Sequence, residues 1–175
     1  MHYRIITRPQ PEEYAAYYHN YIAQLPQETS ILHRMEKQIS DLREMVQNCD
    51  TKKANYRYAK RKWSLAEVVA HIIDSERIFA TRALVFSRND QTEYPGFEQD
   101  DYVKESNTEN RTLQKMLDEF EHLRRGNILM FQGMSDEMFL RSGIANKNRM
   151  TVRATVYIIA GHVQHHMQII RERYL

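Results

Sequence analysis

Apolar residues in this chain recur at spacings of three and four over four long stretches, and the pattern predicts four helices. The first stretch runs roughly from Thr29 to Asn48 and puts Ile31, Met35, Ile39, Leu42 and Val46 on one face. The second, RKWSLAEVVAHIIDSERIFATRALVFSR, aligns Leu65, Val69, Ile72, Phe79, Ala83 and Phe86. Val68, Ser75 and Ile78 widen that stripe, so the helix is expected to be well covered. Ser64 and Glu67 stand in capping-box register just ahead of it. The third stretch is expected to begin near Ser106, with Glu109 three residues on, and to end near Gly133; it carries Leu113, Leu117, Phe120, Leu123, Ile128 and Phe131. The fourth begins at Thr151 and runs almost to Leu175, with Val152, Val156, Ile159, Val163, His166 and Ile170 as its stripe. A shorter N-terminal helix is expected near Pro11 to Gln24, because Pro11, Glu12 and Glu13 suit a helix start.

The connections add topology. Residues 89–105, NDQTEYPGFEQDDYVKE, are long for a bundle loop, where an antiparallel hairpin needs only a few residues. The length implies a crossover that leaves the second and third long helices parallel, or a lid over a site. Residues 52–63, KKANYRYAKRKW, interleave cations with Tyr56, Tyr58 and Trp63. Such a stretch can track phosphates and stack bases. A solvated connector with its aromatics packed on the bundle fits the small charge better.

Composition narrows the class. Five glycines and four prolines in 175 residues are few breakers, which favours an all-α fold, and the length suits one domain over 1–175. The balance of 27% charged and 42% hydrophobic residues is that of an ordinary globular chain. No apolar run approaches the roughly 20 residues of a membrane span. The start, MHYRIITRPQPEEY, lacks the apolar core of a secretory signal. Cys49 stands alone, which excludes a disulfide framework and a cysteine zinc site and fits a reducing cytoplasm. A net charge of +2 argues against a nucleic-acid partner.

The chemistry lies in IAGHVQHHMQII, where His162, His165 and His166 fall on an otherwise apolar helix. Residues four apart share a helix face, so His162 and His166 can address one metal ion, while His165 is turned about 100° away. His71, at the margin of the second helix's apolar face, is the third candidate. Three protein ligands plus an open position is the form of a catalytic zinc site, and imidazole also suits nickel, iron and copper. The plainer alternative is a set of core histidines with hydrogen-bond partners. His2, His19, His33 and His122 read as surface or packing residues. A di-iron bundle needs two E-x-x-H motifs, and only Glu119–His122 fits. Neither HExxH, a P-loop nor GxGxxG occurs.

KWSLAEVVAHIIDSERIFATRAL, a long link containing PGF, and TVRATVYIIAGHVQHHMQIIRERYL together resemble the DinB-like (DinB/YfiT) superfamily, over roughly residues 29–175. The resemblance implies a four-helix bundle in up-down-down-up order with a long crossover between helices two and three. It implies a divalent metal on one histidine of helix two and an HxxxH pair of helix four, which fall here on His71, His162 and His166. It also implies frequent homodimers. Activities in the family include metal-dependent hydrolysis and transfer of low-molecular-weight thiols.

An ion on three neutral imidazoles, zinc or nickel being the first expectation, activates water or a thiol for hydrolysis or S-transfer on a small-molecule substrate. Asp74, Ser75 and Glu76 follow His71 closely enough to support it. Glu76 interrupts the apolar stripe and is a weak candidate for a base. A structural ion pair with Arg77, Arg82 or Arg153 is the reading the sequence favours. The alternative function is a non-catalytic dimeric stress or binding protein whose histidines are structural.

Overall fold

Each of the four long stripes forms a helix in the computed structural model, which describes residues 3–27 and 30–175. Thr29, the expected start of the first stripe, and His2 lie outside the described residues. In chain order the helices are α1 (His19–Ala23), α2 (Ile31–Val46), α3 (Thr51–Ala54), α4 (Leu65–Ser87), α5 (Gln99–Lys104), α6 (Leu113–Gln132), α7 (Asp136–Leu140) and α8 (Val152–Arg173). A short hairpin, β1 (Ser142–Ala145) and β2 (Asn148–Thr151), precedes α8. It turns on Asn146 and Lys147, both at positive φ, as a two-residue hairpin loop of type I′ requires.

The long helices start where a side chain can satisfy the orphaned N–H groups of the first turn. Ser64 Oγ accepts from the Glu67 N–H at 3.2 Å, and the Glu67 carboxylate accepts from the Ser64 N–H at 2.7 Å. Thr151 caps α8 through the Ala154 N–H. For α6 the cap is Thr112, bonded to the Lys115 N–H, and not Ser106. Asn107 adopts a left-handed φ of 54°, so the Ser106–Glu109 register cannot propagate as a helix. The chain makes α5 and a 3₁₀ turn there instead. The expected helix over Pro11–Gln24 is also broken: 3₁₀ turns at Pro11–Glu13 and Ala16–Tyr18 lead into α1. Tyr14 between them is extended and turned into the core.

Two apolar clusters fill the two ends of the bundle and establish its order. One joins Ile39, Leu42 and Val46 at the end of α2 to the starts of α4 and α6 and the end of α8. The other joins the start of α2 to the ends of α4 and α6 and the start of α8. Hence α2 and α8 run one way, and α4 and α6 the other. This is the up-down-down-up order, with α4 and α6 parallel across the long link.

Between the clusters lies a buried polar layer that touches all four helices. Arg124 on α6 donates to Glu76 on α4 at 2.9 and 2.7 Å and to Gln38 on α2 at 2.9 Å. Asn127 donates to the other oxygen of Glu76 at 3.0 Å, and Gln38 donates to the Ala160 carbonyl of α8 at 2.8 Å. Neither Arg124 nor Glu76 has appreciable exposure. Burying these charges is costly, and the layer repays it only because each member is bonded.

The N-terminal segment packs across α8. Glu13 accepts from Thr151 and pairs with Arg153, and the Tyr157 hydroxyl donates to the Ile6 carbonyl at 2.9 Å. The long link is pinned at Tyr94, which exchanges backbone hydrogen bonds with the hairpin at Ile144 and Asn146. Among the described residues no helix is long and apolar enough to cross a membrane.

Candidate functional site

α4 and α8 pack along most of their length, and that contact brings the histidines together. His71 Nε2 lies 3.0 Å from His162 Nε2, and His166 Nε2 lies 3.1 Å from the same atom. One nitrogen from each ring falls within 4.8 Å of the others. All three residues are buried, at 3%, 6% and 8% exposure. His165 points out of this cluster and packs at 5.2 Å against the ring of Tyr21. His19, His33 and His122 are exposed.

Burial is the main cause of the weakened basicity of these rings. It pushes His71 down to about 4, with His165 lowering it further and the Asp100 carboxylate acting in the opposite direction. Burial and then the neighbouring histidines hold His162 well below the ordinary imidazole range, and His166 is lowered in the same way. The cluster is therefore neutral near pH 7, the state a metal ligand needs.

Donor chemistry and spacing fit a divalent ion. Three neutral Nε2 atoms facing one another have at most a few protons to share, and a cation satisfies every lone pair. Nitrogens about 2.05 Å from a tetrahedral ion stand about 3.3 Å apart; the two separations to His162 are a few tenths shorter, and all three nitrogens lie within 4.8 Å of one another. His166 Nδ1 is buried with no partner among the described residues, which supply no second hydrogen bond to orient that ring. His71 is held from one side by the Trp63 ring at 4.7 Å, and His162 meets Tyr21 edge-on at 5.6 Å.

Two clefts reach the cluster. The first, about 320 Å³, opens onto His71 and His162 and is walled by Tyr17, Tyr18, Tyr21, Arg82 and the link at Gly96–Gln99. The second, about 310 Å³, reaches His166 beside Trp63, Lys62 and Asp100. Gln99 borders both, so the crossover link also covers the histidines. Asp100 accepts from Trp63 Nε1 at 3.1 Å and ties α5 to the start of α4. The aromatics of residues 52–63 pack on the bundle: Tyr56 and Tyr58 meet Tyr174 edge-on.

The residues flanking His71 are used differently from one another. Ser75 lines the first cleft, and its Oγ is buried with no partner among the described residues. Burial raises the carboxyl of Asp74. Glu76 points away from the histidines into the polar layer, and its partner is Arg124. Arg77 pairs with Glu119, Arg82 donates to the Pro95 carbonyl at 2.8 Å, and Arg153 is taken by Glu13. The sequence pattern missed the three tyrosines and Asn146, which reach the cleft from distant segments. Arg82 carried a signal: it stands eleven residues from His71 on the same helix face.

A family profile described as the DinB superfamily matches residues 34–170. Among solved structures, the chain is similar to YfiT from Bacillus subtilis, with a TM-score of 0.73 and 17% identity over 85% of this chain and 90% of that one. That protein is described as a probable metal-dependent hydrolase with an unusual four-helix bundle topology. At this identity the likeness establishes the fold. No curated protein matches. With a profile that covers most of its length, the chain belongs to the DinB superfamily.

Proposed function

We propose that residues 1–175 form one domain that acts as a metal-dependent enzyme on a small molecule, with His71, His162 and His166 as the ligands of a divalent ion. The observation that carries this reading is the convergence of three buried, neutral Nε2 atoms at a cluster that two clefts reach. The metal dependence attributed to YfiT supports it. Zinc or nickel suits the all-imidazole donor set. When bound, such an ion lowers the pKa of a water or thiol and supplies a nucleophile near neutrality.

The chain's own residues do the rest. Burial keeps the three imidazoles unprotonated and ready to donate lone pairs. Trp63 and Tyr21 brace His71 and His162, and the link with the N-terminal tyrosines narrows access to the cleft. Glu76 has both oxygens engaged and holds the bundle together instead of moving protons. Hydrolysis and transfer of a low-molecular-weight thiol both use this arrangement. The lone cysteine fits a cytoplasmic setting, and the family resemblance implies a homodimer.

Elemental analysis of untagged protein beside His71→Ala, His162→Ala and His166→Ala tests the assignment. About one metal per chain, lost in each variant while the helical spectrum persists, is the expected result. Absence of metal after reconstitution with zinc and with nickel overturns it and leaves structural histidines in a non-catalytic helical protein.

A further inference from the structure

The first cleft holds, among the described residues, an arginine without a counter-ion and a hydroxyl without a hydrogen bond. Arg82 is 4% exposed; it donates to the Pro95 carbonyl at 2.8 Å and lies beside the Tyr18 hydroxyl, but among the described residues no carboxylate pairs with it. The bundle's other deeply buried arginine, Arg124, has Glu76. Glu98, the one carboxylate lining the cleft, is exposed and makes no ion pair with Arg82. Ser75 Oγ, one turn from His71, is buried and has no hydrogen-bond partner among the described residues. Buried charges are rarely left without a counter-ion, and a buried hydroxyl without a bond is costly.

These groups are ordered along one line. His71, Ser75, Phe79 and Arg82 stand at i, i+4, i+8 and i+11 on α4, which places them on one face over a rise of about 16 Å. All four line the cleft, and the Arg82 guanidinium lies over the Phe79 ring at 5.4 Å. Helical side chains lean toward the N-terminus, so Arg82 reaches back toward Ser75. A volume of about 320 Å³ sits at the small end of ligand sites.

We propose that this cleft takes a small organic anion, a carboxylate or phosphate ester. Arg82 is the anion's counter-ion, Ser75 hydrogen-bonds the middle of the molecule, and the far end lies at the histidines. The guanidinium fork matches a planar oxyanion, and it sets substrate specificity at a distance from the reacting end. Placing that far end at a reacting centre rests on the metal-enzyme reading; the anion site itself does not.

The test uses the metal-free full chain, titrated calorimetrically with butyrate, succinate, inorganic phosphate and the neutral butyramide, and mapped by amide shifts. An anion should bind at least tenfold more tightly than butyramide, with shifts centred on Ser75, Phe79 and Gly96. Arg82→Gln should lose at least tenfold, Arg82→Lys less, and Ser75→Ala less again. The better of phosphate and the carboxylates identifies which anion the site takes. The proposal is overturned if no anion binds, if butyramide binds as well as butyrate, or if the shifts map away from α4. Arg82 also holds the Pro95 carbonyl, so a variant can loosen the link; the butyrate–butyramide comparison needs only the unaltered chain. Metal-free protein keeps this result separate from the fate of the metal assignment.

Discussion

Gly161 lies beside His162 in the middle of α8, where α1 crosses. A Cβ built there would stand 2.3 Å from the Tyr21 carbonyl oxygen and 2.6 Å from its carbon. Both are backbone atoms, so relief requires α1 to retreat by the better part of an ångström. Gly161→Ala improves helix propensity by about 1 kcal/mol. Overpacking against backbone costs about 3 kcal/mol, the upper part of the usual range. The net expectation is a loss of about 2 kcal/mol, or roughly 4–8 °C in melting temperature for a chain of this size. Gly126, in the exposed middle of α6, has nothing within 4 Å of its would-be Cβ. Gly126→Ala should therefore raise the melting temperature by roughly 2–4 °C through propensity alone. Thermal unfolding of the two variants beside the parent chain reads both signs. If Gly161→Ala melts at or above the parent temperature, the close approach of α1 to α8 is not a constraint, and the packing argument fails. The same variant should loosen Tyr21 from His162, visible as shifted aromatic resonances of both rings.

Two further outcomes follow from the buried polar groups. Glu76→Ala leaves Arg124 charged and unpaired between the two apolar clusters, and should cost about 3–5 kcal/mol in urea unfolding; a cost below about 1 kcal/mol would show that the polar layer is dispensable. The metal-free protein should lose stability as pH falls from about 6.5 toward 4. In that window the unfolded chain takes up protons at its histidines, while His71, lowered to about 4, and the more deeply depressed His162 and His166 resist them. His71 alone accounts for about 2 kcal/mol by pH 5. Urea midpoints in chelator at pH 7.5 and 5 check this, and equal midpoints would contradict a buried neutral cluster.

The sequence by itself determined the elements whose energetics are local. Four stripes with a period near 3.6 became α2, α4, α6 and α8, and Ser64 and Thr151 capped their helices through N–H groups three residues away. The length of residues 89–105 was enough to imply the crossover, because a chain joining parallel helices must travel the length of the bundle. His162 and His166 shared a face through helical geometry alone. Where local signals competed, the pattern misled: Ser106 and Glu109 had capping spacing, but the left-handed Asn107 ended any helix there. Partner choice was the work of tertiary structure. For Glu76 the sequence offered Arg77, Arg82 and Arg153, and Arg124 took it because α6 lies parallel beside α4. The packing of α4 on α8 brought His71 to His162, and the path of the N-terminal segment over α8 carried three tyrosines to the cleft wall. Periodicity records which face of a helix is apolar; which face it meets depends on contacts between residues far apart in the chain, and those carry no spacing to read.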